Sequence, residues 1–214
     1  MLQREGPVMH RTQSGAMLTL VTGPVRSGKS RFALELAHES GHVPVYVATA
    51  EIDPHDREMT DRVAQHRAER GAMRTIETHA AGPRLGDAIA AIPAGEVAIV
   101  DSVGTWLGSC MMAAAGAFGD DALAAAAALE REAGEVLGAL AAARGDVILV
   151  AEETGWGVVP PYPLGRAFRD QLGRLTAALA GRCDRVYLVV AGYAIDLRVA
   201  GRRVSDRSVT RGAR

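Results

Sequence analysis

Gly23-Pro24-Val25-Arg26-Ser27-Gly28-Lys29-Ser30 fits the pattern G-x-x-x-x-G-K-[ST] of a phosphate-binding loop. The chemistry follows from geometry. Glycines let backbone N–H groups curl around phosphate oxygens, the Lys29 ammonium reaches the β/γ-phosphates, and the Ser30 hydroxyl is placed to hold Mg²⁺. The flanks suit that role. Leu18–Thr22 reads as a buried strand, and Arg31–Ala37 reads as the helix whose N-terminus faces the anion. Lys29 is the only lysine among 24 cationic residues, the rest being arginine. A chain that otherwise uses arginine has kept one compact ammonium where a triphosphate needs a point charge.

Working outward, His42–Thr49 reads as a second strand ending near Ala50, and Asp53 caps a helix that opens at Pro54 and runs over 55–70. A short strand is expected over Met73–Glu77 and a helix over Arg84–Ile92, ended by Pro93 and Gly95. Val97–Asp101 is an apolar run with a carboxylate at its end. After Trp106 comes a stretch, Ala113–Gly119, read as flexible, then an Ala-rich helix over 121–144. Val147–Ala151 is a buried strand ending in Glu152-Glu153, Gly155–Pro163 a loop, Leu164–Ala180 an amphipathic helix and Val186–Val190 the last strand. Strands alternating with helices imply βαβ crossovers. The expected fold is α/β and P-loop NTPase-like, a mostly parallel central sheet with helices on both faces.

The 214 residues suit one catalytic domain, here 17–198, preceded by a flexible extension (1–16) and followed by a basic tail (199–214). The tail region Arg198–Arg214 holds six arginines and one acid, and reads either as a solvated segment or as a lid or subunit contact. Net charge is −1, which gives the whole molecule no electrostatic bias towards nucleic acid or membranes. No apolar run reaches roughly 18 uncharged residues, so no membrane span is expected. The start lacks the apolar core of a signal peptide. Cys110 and Cys183 form no C-x-x-C or metal-ligand spacing, which sets a reduced, cytoplasmic compartment as the expectation.

In open α/β sheets ligands sit at the carboxyl ends of the strands. That rule gathers the residues from Thr22 to Ser30, Ala48 to Glu51, Asp101 with Ser102, and Glu152 to Gly157 along one rim. Asp101 ends its strand as a Walker-B carboxylate would, positioning Mg²⁺ or its water; the plainer reading is a carboxylate capping the next turn. Glu153 admits both readings equally. His66 lies seven residues after Met59 and three after Val63, which suits a histidine at a core margin. It is also surrounded by Arg62, Arg67 and Arg70. Clustered cations disfavour imidazolium and hold the ring neutral, as a nucleophile requires, while attracting phosphate. The other five histidines form no metal cluster, and zinc is not expected.

The order of these motifs resembles one family. Gly23…Arg26-Ser27-Gly28-Lys29-Ser30, Ala48-Thr49-Ala50, Glu58-Met59…Arg62-Val63…His66-Arg67…Arg70 and Thr75-Ile76-Glu77 come first. Asp101…Trp106, Glu153…Gly155-Trp156-Gly157-Val158-Val159-Pro160, Arg166-Ala167-Phe168-Arg169-Asp170…Gly173 and Val189…Gly192 follow. The chain is similar, over about Met17 to Arg198, to the bifunctional adenosylcobinamide kinase / adenosylcobinamide-phosphate guanylyltransferases of cobalamin biosynthesis. The loop alone is weakly specific, whereas the His66 helix together with G-x-G-[VI]-V-P is strongly so.

The resemblance implies two reactions. The γ-phosphoryl of ATP or GTP passes to the aminopropanol hydroxyl of adenosylcobinamide. GMP then passes from GTP through a GMP-histidine intermediate to adenosylcobinamide phosphate, giving adenosyl-GDP-cobinamide and pyrophosphate. It carries the catalytic histidine to His66. It carries nucleotide contacts to Gly23, Pro24, Val25, Arg26, Ser27, Gly28, Lys29 and Ser30, to Ala48, Thr49 and Ala50, to Arg67, Ala68, Glu69 and Arg70, and to Glu77 and Asp101. Mg²⁺ falls to Ser30 and Asp101, and Glu77 is placed to accept from a guanine edge. A homotrimer with the nucleotide near a subunit boundary is implied as well.

The chain departs from the family pattern in places. Pro24 replaces the loop's usual second glycine and removes one N–H. Met73 sits where a tryptophan is common, Glu152 and Thr176 stand where asparagine is frequent, and Ser102-Val103-Gly104 is looser than the usual stretch. These departures bear most on the kinase half, so a guanylyltransferase alone is the nearest alternative. A nucleotide-dependent switch is another class, but it reads guanine with N-K-x-D, and the single lysine is already in the loop. A DNA-linked ATPase would need basic surface beyond the tail.

Overall fold

The computed structural model describes residues 15–50, 71–78, 84–119 and 122–204. The expected helix over 55–70, and with it His66, Arg67, Ala68, Glu69 and Arg70, lies outside the described residues. In chain order the elements are β1 (Leu18–Gly23), α1 (Lys29–Glu39), β2 (Val43–Ala48), β3 (Arg74–Glu77), α2 (Leu85–Ala90), β4 (Glu96–Asp101) and α3 (Val103–Phe118). Then come α4 (Ala122–Ala141), β5 (Asp146–Glu152), a 3₁₀ turn (Thr154–Trp156), α5 (Pro163–Arg182), β6 (Arg185–Val190), β7 (Tyr193–Asp196) and α6 (Leu197–Ala200).

The seven strands form one sheet in the order β3-β2-β4-β5-β1-β6-β7. All pairs are parallel except β6 with β7. The central strands are near-continuous Val/Ile/Leu runs because both faces are covered. Alternation along each strand sorts the core into two layers. Leu20, Val45, Val47, Ala98, Val100, Val147 and Leu149 face the layer packed by α2 to α5. Val21, Tyr46, Val97, Ile99, Ile148 and Val150 face the layer that holds Ala33 and Ala37 of α1. Ala33 and Ala37 are fully buried, four residues apart on one helix stripe, and their small size lets α1 lie close on the sheet.

Two expectations are corrected. Ala113–Gly119 is the second half of α3, which ends at Gly119 with φ +53. Its alanines are the best helix formers, and the glycine supplies the left-handed residue that stops the helix. Val186–Val190 is not the last strand, because β7 returns antiparallel after a turn through Ala191 (φ +50) and Gly192 (φ +81). The described part of the basic segment, 198–204, is largely exposed, yet two of its arginines reach α5. Arg198 donates through Nη2 to the Ala180 carbonyl at 3.0 Å, and the Arg203 guanidinium crowds Gly181. Both cations thus meet the C-terminal end of α5, where the helix presents its partial negative charge and unpaired carbonyls.

Cys110 and Cys183 are buried and not joined in a disulfide, and burial pushes the Cys183 thiol up to about 12. No described helix is long and apolar enough to cross a membrane. Leu149 is fully enclosed at the centre of the sheet. Leu149→Ala is expected to cost about 2–5 kcal/mol of stability, the usual range for a cavity of this kind, read as a lowered urea midpoint at unchanged slope.

Candidate active site

The strand ends set the site. Gly23 of β1 is in register with Glu152 of β5, Asp101 of β4 with Ala48 of β2, and Ala48 with Glu77 of β3. One rim therefore carries the loop Gly23–Ser30, the Ala48–Ala50 stretch, Glu77, Asp101, Glu152 and Glu153.

The phosphate loop is shaped by its backbone. Arg26 takes φ +58 and Gly28 φ +100, two left-handed residues that turn the chain into α1. Gly28 occupies the N-cap position with no side-chain cap, so the first-turn N–H groups of α1 are left for an anion. Pro24 has no N–H to give, but its carbonyl accepts from Ser27 N–H at 3.3 Å and from Lys29 Nζ at 3.2 Å. The lysine keeps only 9% of its full exposure, so this contact holds a largely buried side chain at the loop. Ser27 Oγ is also buried, without a hydrogen-bond partner among the described residues.

The loop is braced from outside. Gly192 N–H donates to the Ser27 carbonyl at 3.0 Å, and Glu153 N–H to the Gly23 carbonyl at 3.0 Å. A side chain at position 23 would run into the Val189 carbonyl of β6. These braces escaped the sequence reading, because the turn after β6 gives no sign of what it folds against.

The opposite side of the rim is laced by side chains. Thr49 is buried, donates through Oγ1 to the Ser102 carbonyl at 2.8 Å, and accepts from Ser102 N–H at 2.8 Å. Thr78 donates to the Ala48 carbonyl through both N–H (2.8 Å) and Oγ1 (3.2 Å). Ser102 caps α3 by accepting from Thr105 N–H. Asp101 accepts from the Tyr46 hydroxyl at 2.8 Å through Oδ2. Tyr46 was legible only as a strand residue; the signal was a tyrosine in a buried strand, whose hydroxyl needs a partner.

The two glutamates after β5 are distinct. Glu153 accepts from Thr22 Oγ1 at 2.8 Å and so turns back on β1. Glu152 points towards α3, where its Oε2 accepts from Gly104 N–H at 3.1 Å, and a side chain at 104 would occupy that oxygen's place. Burial raises the Glu152 carboxyl above its ordinary value. The Ser102 hydrogen bond and the Lys29 charge oppose that shift, while Asp101 adds to it.

Ser30 and Asp101 fit a hard cation by chemistry, since both offer oxygen, and Mg²⁺ takes one or two protein ligands beside substrate phosphates. Among the described residues no group of three or more His, Cys, Asp or Glu gathers for a metal held by protein alone.

The family model for cobinamide kinase / cobinamide phosphate guanyltransferase matches residues 19–197. The chain belongs to that family. The match runs over nearly the whole length of its relatives: the bifunctional adenosylcobalamin biosynthesis protein CobP of Pseudomonas aeruginosa is 39% identical over 183 residues, 85% of this chain and 98% of the relative. The bifunctional protein CobU of Escherichia coli is 35% identical, and that of Salmonella typhimurium 36%, each over 187 residues, 85% of this chain and 100% of the relative. Solved structures overlap more loosely. The RadB recombinase is 20% identical with a TM-score of 0.38, covering 80% of this chain and 73% of that one. The flagellar accessory protein FlaH of Methanocaldococcus jannaschii is 13% identical with a TM-score of 0.37, covering 83% and 74%. The fold of this family member is read from its own strand order.

For this transferase-family chain the buried Glu152 has a measurable consequence. A carboxyl raised in the folded state supports the fold in its protonated form below about pH 4.5, its ordinary value. That support is lost as pH rises through the folded pKa. A neutral amide keeps an acceptor for Gly104 and carries no such penalty. Glu152→Gln should therefore gain stability relative to the wild type on going from pH 4.5 to neutrality, seen in paired urea titrations. An identical difference at both pH values would show that folding leaves the Glu152 carboxyl at its ordinary value.

Proposed function

We propose that this chain phosphorylates adenosylcobinamide with ATP or GTP and then transfers GMP from GTP, through His66, to adenosylcobinamide phosphate. The products are adenosyl-GDP-cobinamide and pyrophosphate. One observation carries the reading: a family match over residues 19–197 whose phosphate loop is a braced, uncapped helix start at the carboxyl rim of the sheet. The finer parts belong to the same proposal. The enzyme works in the cytoplasm as a homotrimer, without nucleic acid or membrane, and the nucleotide contacts are those drawn from the family pattern.

The chain's own groups supply positioning and charge. The α1 amides and Lys29 hold the triphosphate oxygens, and the braces on Ser27 and Gly23 keep those donors in place before substrate arrives. Ser30 and Asp101 would hold Mg²⁺, which would supply charge neutralisation on the phosphates. Tyr46 fixes the Asp101 carboxylate so that one oxygen stays directed by its hydrogen bond. A phosphoryl group in flight carries charge on its oxygens, and a preformed set of donors lowers that barrier without reorganising. In the second reaction an imidazole at His66 attacks the α-phosphorus, the bond to pyrophosphate breaks, and Arg67 and Arg70 offset the charge that leaves. Glu77, at the end of β3, accepts from the guanine edge.

Incubation with GTP labelled on the α-phosphorus tests the covalent step. Wild type should retain label in a bond that is labile to acid and stable to base, and adenosylcobinamide phosphate should discharge it. His66→Asn should bind GTP and retain none. A folded wild type that binds GTP but never labels would remove the guanylyl half and leave a kinase acting from the phosphate loop.

A further inference from the structure

Between the end of β5 and the second and third turns of α5 lies a cavity of about 220 Å³. Glu152, Glu153, Thr154, Arg169, Asp170 and Arg174 line it. Two of these reach the phosphate loop directly: Glu153 through Thr22 and the Gly23 carbonyl, and Glu152 by its register with Gly23 and the field of Lys29. A group in the cavity thus sits beside the transferable phosphate's binding loop, on the side away from β2 and β3.

The lining selects the occupant. Three carboxylates disfavour a second nucleotide or any other polyanion. Two guanidiniums, neither ion-paired among the described residues, add donors. Such a mixed set matches neutral amides and hydroxyls, which both donate and accept. Sites that enclose a whole drug-sized ligand measure about 300–1,000 Å³, so this one holds an arm rather than a macrocycle. Immediately after it the chain lays out Trp156, Val158, Val159 and Tyr162, exposed by 59%, 94%, 58% and 59%. Large apolar side chains exposed together in one short stretch mark a binding surface.

We propose that the cavity and the Trp156–Tyr162 strip form the acceptor subsite, with a broad amide-bearing macrocycle on the strip and one of its polar arms in the cavity beside Glu152. This rests on the proposed kinase reaction and names where its corrinoid acceptor docks. The hydroxyl-bearing arm then meets the phosphate loop at the Glu152 edge, so nucleotide and acceptor approach from opposite sides of the rim.

Gly173 provides the test. It lies on the cavity wall, and a Cβ built there meets nothing within 4 Å. Gly173→Trp fills the cavity without touching the loop. Its KM for adenosylcobinamide in phosphoryl transfer should rise at least about tenfold, a loss of roughly 1.4 kcal/mol in binding. Nucleotide affinity and labelling by GTP alone should stay at wild-type values. Equilibrium dialysis of adenosylcobinamide should show the same weakened binding without turnover. If Gly173→Trp also loses nucleotide binding, Arg174→Glu, an exposed change on the same wall, is read by the same two measurements. An active wild type whose variants keep their KM and dialysis constants overturns the subsite alone. A wild type that binds nucleotide yet never phosphorylates adenosylcobinamide overturns the kinase reading, and the subsite with it.

Discussion

The structure depends on how closely the backbone of the phosphate loop is pressed against β6. Position 23 has no room for a side chain beneath the Val189 carbonyl, and a Cβ at position 28 would come into ordinary contact, at 3.9 Å, with the Gly192 Cα. Gly192 N–H then ties the loop at Ser27. That contact explains the one antiparallel pair among the described strands. A parallel strand after β6 would need a long crossover, whereas a tight return through Ala191 and Gly192 sets an N–H against the loop within two residues. Both turn residues are left-handed, which costs little at glycine and about 1 kcal/mol or more at alanine. The brace offsets that cost locally. A loop whose amides must converge on phosphate gains most when its conformation is fixed beforehand.

Charge is arranged around the same loop. Lys29 is nearly buried, and its field reaches a carboxylate that is itself buried. Desolvation is the largest influence on Glu152, ahead of the attraction of Lys29, so burial wins and the carboxyl is held above its ordinary value. The compact ammonium suits this place better than a guanidinium would. It is tethered at one carbonyl, that of Pro24, and leaves two donors for phosphate, while a planar fork would need two acceptors side by side. Pro24 removes an amide from the cradle and leaves a carbonyl that anchors the lysine.

Much of this was legible in the sequence because it rests on local rules. A strand, a glycine-rich turn with one lysine and a helix start are contiguous, and Asp101 closes an apolar run that could only be a buried strand. What escaped was either compositional or long-range. Ala113–Gly119 reads as a low-complexity patch, yet alanine is the residue that best continues a helix, and α3 runs through it. The four residues of β7 are too short for alternation to register, and their pairing is decided by the turn before them. Tyr46 with Asp101, Thr49 with Ser102 and Gly192 with Ser27 join residues 55, 53 and 165 positions apart, so no window of sequence contains both partners. The departure at Glu152 was visible as a charge out of place, but its bond to Gly104, and the reason residue 104 carries no side chain, required the packing of α3 on β5.

These contacts divide the rim into two halves of different chemistry. On the β2/β3/β4 side Thr49, Thr78 and Ser102 lace the strand ends together through buried or partly buried bonds, and Tyr46 fixes Asp101. On the β5/α5 side the surface is an exposed apolar strip, with Arg166 donating to the Pro160 and Pro161 carbonyls and Arg169 and Arg174 in no ion pair among the described residues. The difference matches the demands of the two substrates in the proposed reaction. A nucleotide is a small, highly charged group whose reacting phosphorus tolerates displacement poorly, since an error near 1 Å costs about a hundredfold in rate. A corrinoid is large and mostly neutral, and broad apolar contact holds it without a fixed set of charges. Rigid donors belong where phosphate is held, and an adaptable face belongs where the acceptor lands; Glu152, bonded to α3 and within the field of Lys29, stands at the boundary between them.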